Sequence, residues 1–151
     1  MKPSDRLELV IDACTWIAFE NCGGIKSLDE LRTRVVVTKG VATEAGVAVE
    51  GGKVRGHDWA TLGTPTTSAR AMLEGLTLGE RDCIHYCMED ADWRFFVSHD
   101  RRAKRDAANL GVHVLDTTAM LLLAWTSGGL AAEALRRAAM YVAGVAPRGP
   151  I

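Results

Sequence analysis

Four carboxylates stand where chemistry is possible: Asp12, Glu44, Glu80 and Asp100. Asp12 ends the aliphatic run Leu9-Val10-Ile11, and Asp100 follows a second run, RFFVS, after His99. Glu44 falls in line with Val41, Ala45 and Ala48 at helical spacing, and Glu80 with Cys83, Ile84 and Cys87. A carboxylate on an apolar stripe is costly to bury unless something compensates its charge. Neither stripe offers a Lys or Arg at i±3 or i±4. Clustered oxygen donors suit Mg²⁺ or Mn²⁺, ions that lower the pKa of a water and neutralise charge on a phosphodiester. Each acid also has an innocent use. Asp12 and Asp100 can cap helix N-termini, Glu80 completes the capping box Thr77-x-x-Glu80, and Glu44 can be an ordinary helix glutamate. Taken jointly, the four point to a hard-metal site.

Other residues bear on that chemistry. Arg101, Arg102, Lys104 and Arg105 directly follow Asp100. They read either as a phosphate clamp or as a solvated helix face. Cys83 and Cys87, spaced i, i+4 with His85 between them, invite zinc, but no second ligand pair stands at zinc-site spacing; they are expected in the core with Ile84. His85 and His99 are expected to support the site or lie at the surface rather than act as bases.

The elements that must hold these residues alternate. Strands are expected at 7–11, 35–37, 57–62, 94–98 and 112–115. Helices are expected at 15–21, 27–32 (capped by Ser27), 39–49 (closed by Gly51-Gly52), 67–74, 77–92, 101–110 (stopped by Gly111), 117–125 and 130–142. Short aliphatic strands between helices predict a parallel sheet covered on both faces, with ligands beyond the carboxyl ends of the strands. One domain is expected over 1–145, with 146–151 a frayed tail. The 130–142 helix is expected to pack, and it offers a face for a homodimer.

Composition excludes several classes. With 151 residues, 48% hydrophobic and 25% charged, the chain is globular. A net charge of −1 gives no general attraction to nucleic acid or membranes, so any such contact must be local. No apolar run is long enough to span a bilayer, and the N-terminus lacks the pattern of a signal peptide; a cytoplasmic protein is expected.

The stretches LVIDACTWI, VVVTKGVATEA, LTLGERDCIHYC and FFVSHDRRAKRDAANLGVHVLDTTAMLLLAWTSGGL, in this order, resemble PIN-domain nucleases. Within that family the chain looks like the branch whose third acid follows a glycine. The resemblance covers most of the chain apart from 51–73. It implies a three-layer α/β/α sandwich around a mostly parallel sheet, with Asp12, Glu44, Glu80 and Asp100 holding Mg²⁺ or Mn²⁺. It also implies cleavage of single-stranded RNA, often as the toxin of a toxin–antitoxin pair with a small antitoxin partner. Thr15, beside the first acid, and the basic run become candidate substrate contacts. Three positions depart from the family: Cys14 where Ser or Thr is frequent, Arg101-Arg102 where a further acid is frequent, and Thr38 in place of a proline. Two rivals remain. An aspartyl-phosphate phosphatase would want a second Asp at position 14, where Cys14 stands. A degenerate PIN domain would bind RNA or protein without cutting.

Overall fold

A computed structural model describes residues 7–21, 34–54, 57–65 and 75–126. The helices expected at 27–32, 67–74 and 130–142, and the tail at 146–151, lie outside the described residues.

Strand β1 (Glu8–Ile11) is buried at every position, and β2 (Arg34–Thr38) at every position but its first. Such strands need cover on both faces, which makes the sheet the middle of three layers. The remaining strands are β3 (Val49–Glu50), β4 (Lys53–Val54), β5 (His57–Gly63), β6 (Arg94–Ser98) and β7 (His113–Asp116). Their spatial order is β3-β4-β5-β2-β1-β6-β7. Parallel pairing joins β5, β2, β1, β6 and β7, with Leu9 opposite Val35 and Val10 opposite Phe96. Only the β3–β4–β5 edge is antiparallel. Thus the expected α/β sandwich with a mostly parallel sheet is present.

Five helices complete the described chain: α1 (Ala13–Asn21), α2 (Lys39–Ala45), α3 (Leu78–Met88), α4 (Arg101–Asn109) and α5 (Thr117–Thr126). From β1 the chain moves outward through β2 to β5, then returns to β6 and proceeds the other way to β7. The reversal falls between β1 and β6, where crossovers diverge and leave a crevice at the carboxyl ends. Asp12 follows β1, and Asp100 follows β6 by one residue.

One expectation fails between 46 and 54. The helix from Lys39 ends at Ala45, capped by a left-handed Gly46, and does not reach 49. Gly51 and Gly52, with φ of 58° and 76°, do not close a helix. They turn the β3–β4 hairpin, whose two central residues both need positive φ to match strand twist. Elsewhere the differences are small: α1 begins at Ala13 rather than 15, and α3 ends at Met88 rather than 92.

A candidate carboxylate site at the sheet switch point

Asp12 is fully buried. Its Oδ1 accepts the Thr15 amide at 2.8 Å and the Thr15 hydroxyl at 2.7 Å, while Oδ2 accepts the Ser98 hydroxyl at 2.6 Å. The first bond caps α1, and the last ties the end of β1 to the end of β6. Burial lifts the Asp12 carboxyl above the usual range; the Ser98 and Thr15 bonds pull it back, as does nearby His99, without cancelling burial. Neutral donors thus hold this carboxylate, and no cation pairs with it among the described residues.

Thr15 was expected at the substrate; the structure places it elsewhere. It is fully buried, and its hydroxyl lies between Asp12, the Val97 carbonyl (3.2 Å) and the Thr117 hydroxyl (2.8 Å). Its polar groups are spent inside the protein.

Glu80 completes its capping box: its Oε1 accepts the Thr77 amide at 2.9 Å, and Thr77 Oγ1 accepts the Glu80 amide at 3.1 Å. Burial is the main reason its carboxyl sits above the ordinary range; the Thr77 amide opposes that, and the charges of Asp100 and Asp12 reinforce it. Glu44 does not lie on a buried stripe, since it is exposed and Ala48 falls beyond the helix. It reaches across to α3, where its Oε1 accepts the Gly79 amide at 2.7 Å. A Cβ on Gly79 would lie 2.7 Å from Glu44 Oε2, so a side chain there must displace the end of Glu44 from the Gly79 amide. Asp82 of α3 answers by accepting the Gly40 amide of α2 at 2.9 Å. The glycine before Glu80 therefore has a physical reason to be there, since it lets Glu44 reach the start of α3.

Asp100 is exposed and caps α4 by accepting the Ala103 amide at 2.9 Å. Its own amide donates to Ser98 Oγ at 3.0 Å, so one hydroxyl joins Asp12 to the Asp100 backbone. In the basic run Lys104 is tightly paired, and Arg102 and Arg105 stay more than half exposed. Lys104 pairs with Asp116 at 2.5 Å, while Arg102 and Arg105 flank Asp106 at 3.8 Å. Arg101 is exposed and makes no ion pair among the described residues.

The charges of all four acids act on Cys14. Its side chain reaches solvent, yet the surrounding protein and then the charges of Asp12, Glu80, Asp100 and Glu44 push its thiol up to about 11. Four hard oxygen donors, uncompensated by cations among the described residues, suit a divalent ion in donor chemistry and charge. Their spacing is looser than a coordination shell: among the described residues no three His, Cys, Asp or Glu side chains are grouped to hold an ion together. Cys83 and Cys87 are buried in the core, where burial raises both thiols above their ordinary value. That is a packing environment, not one of metal thiolates.

Sequence reasoning did not find Ser98 or Thr117. Ser98 ends β6 and Thr117 opens α5 directly after β7, and the parallel register of β6 against β1 and β7 brings them to Asp12 and Thr15. A family model described as a PIN domain matches residues 8–141. No curated protein and no solved structure matches the chain.

Proposed function

The chain belongs to the PIN-domain family, and from that premise we propose that it is an Mg²⁺- or Mn²⁺-dependent endoribonuclease acting on single-stranded RNA. PIN domains are in general nucleases that use divalent metals. The observation that carries the reading is that Asp12, Glu44, Glu80 and Asp100 all act by charge on the Cys14 thiol, with Asp12 and Asp100 at strand ends on either side of the sheet's switch point. These four carboxylates would hold the cation, which when bound supplies charge neutralisation at the phosphodiester and activation of a water. Asp12, fixed by three donors, sets the orientation of the site. Asp100 and Glu44, both exposed, face incoming RNA, and Arg101 offers a phosphate contact.

The test uses end-labelled single-stranded RNA with the purified protein in Mg²⁺, in Mn²⁺ or in EDTA. Cleavage with metal is expected, and its absence in EDTA and in Asp100→Asn. RNA left intact in Mn²⁺ by a protein that binds it favours the second reading, a PIN domain that binds without cutting. That reading draws on the loose spacing of the acids. The biological role we propose is the toxin of a toxin–antitoxin pair acting in the cytoplasm. Induced expression should arrest growth, and co-expression of a small antitoxin encoded beside the gene should relieve the arrest. A homodimer, tested by light scattering, belongs to the same proposal. Among the described residues no helix is long and apolar enough to cross a membrane.

A further inference from the structure

Behind Asp12 lies a chain of side chains whose protons can be counted. The Thr15 hydroxyl meets Asp12 Oδ1 at 2.7 Å and Thr117 Oγ1 at 2.8 Å; Thr117 Oγ1 meets His99 Nδ1 at 3.1 Å. Thr15 and Thr117 are fully buried, and His99 is half-buried. A hydroxyl carries one proton to donate and two lone pairs. Asp12 Oδ1 already receives the Thr15 amide and so accepts; at 2.7 Å, against 3.2 Å to the Val97 carbonyl, it takes the Thr15 proton. Thr15 can then only accept from Thr117, which spends the Thr117 proton. The oxygen of Thr117 has nothing left to give His99, so the ring must donate from Nδ1. Every bond then runs one way: His99 to Thr117 to Thr15 to Asp12.

From this we propose that His99 and Thr117 are positioning residues of the carboxylate site, with His99 held as the Nδ1–H tautomer. The proposal deepens the metal-dependent reading above and rests on it only for its effect on the cation. Were the Thr117 proton turned to His99 instead, Thr15 could turn its own proton to Thr117 and release Asp12 Oδ1. The imidazole closes that alternative by supplying the donor at the far end. In the neutral ring, Nε2 is left as an acceptor on the side opposite the chain. Outer partners that orient a metal-binding carboxylate act on affinity without touching the ion.

Nitrogen-15 NMR of the metal-free protein at a pH of about 8.5, where imidazoles are neutral, reads which ring nitrogen bears the proton. We expect Nδ1 in the native protein; a proton on Nε2 would overturn the proposal. In Thr117→Val, which keeps shape and loses the hydroxyl, the ring should shift toward Nε2–H and the Asp12 carboxyl carbon-13 resonance should move. Thr117→Ser should restore both. Unchanged signals in the valine variant would overturn the positioning role. Mn²⁺ titration should then show binding weakened roughly tenfold to hundredfold in Thr117→Val and rescued in Thr117→Ser. Equal affinity in all three proteins counts against the proposal. A native protein that binds no Mn²⁺ sinks the nuclease reading instead, and the NMR results still decide the chain.

Discussion

Strand β1 has a buried carboxylate at each end, and the two are treated differently. Glu8, at the start, is paired: Arg94 Nε donates to it at 2.9 Å and Tyr86 Oη at 3.3 Å. The same guanidinium donates to the Tyr86 carbonyl at 2.6 Å and stacks 3.7 Å over the Tyr86 ring. Asp12, just past the other end, receives two hydroxyls and an amide but no cation among the described residues. The Glu8 cluster is complete, with charge balanced and donors matched. The Asp12 site holds excess negative charge, and burial lifts its carboxyl above the ordinary range. A closed cluster holds the fold together; an unbalanced one has capacity for a ligand. The contrast separates structural from functional acid where sequence alone presents two acids near one strand.

The largest expected effect tests the unbalanced end. Asp12→Asn keeps the shape of the side chain and removes its charge. Cleavage should fall by roughly 10³-fold, several kcal/mol of transition-state stabilisation, while urea unfolding shows no loss of stability at pH 7.5. Full activity in the purified variant would place Asp12 with Glu8 as a structural acid.

Next comes the balanced end. Arg94→Met removes the guanidinium bonded to the buried Glu8 carboxylate, and should cost about 3 kcal/mol in urea unfolding without altering cleavage per folded molecule. Adding Glu8→Leu to it should recover most of that stability, because the orphaned charge is then gone. A failure to recover would show that the guanidinium acts mainly through Tyr86.

A cation should act on one end only. Since the folded-state pKa of Asp12 is raised, the native protein keeps a proton that the unfolded chain has released. Stability from this source is complete below the unfolded pKa and is lost as pH rises through the folded value; Glu80 has the same sign. At neutral pH the metal-free site is therefore a liability, and Mn²⁺ binding only the folded state should relieve it. At a hundredfold excess over the dissociation constant the gain is about 2.7 kcal/mol, a rise in melting temperature of roughly 5–10 °C for a domain of this size. Glu44→Gln with Glu80→Gln should abolish the response, and Arg94→Met should keep it. An unresponsive native protein would mean that caps alone explain these acids. Smallest is Tyr86→Phe, which removes one long bond to Glu8 and should cost under about 1 kcal/mol.

How far the sequence reveals these two ends depends on the range of the interactions. The buried strands, the capping box at Thr77 and Glu80, and the Asp100 cap are set by neighbours in the chain, and sequence reasoning places them. The sequence also singles out all four acids. It misplaces Glu44, because the expected helix to 49 puts Ala48 on its face, whereas a glycine pair turns a hairpin there. It assigns Thr15 to substrate because its partner Thr117 lies 102 residues away. The Ser98 link to Asp12, across 86 residues, is likewise a product of strand register and has no local signature.

The crossed contacts of α2 and α3 have a consequence for what the chain tolerates. Gly40 with Asp82 and Glu44 with Gly79 tie α2 to α3 across 42 and 35 residues, and neither contact uses the β3–β4 hairpin that lies between them in the chain. The Gly51-Gly52 turn, exposed at the edge of the sheet, is a natural port for insertion. A flexible tag or a small folded module placed there would hang from the sheet margin and leave the pairing of the second and third acids as it is. A methyl group added at Gly79 would push Glu44 away while leaving every charge in place. An insertion at one glycine leaves the acids where they are, whereas a single carbon at another moves one of them.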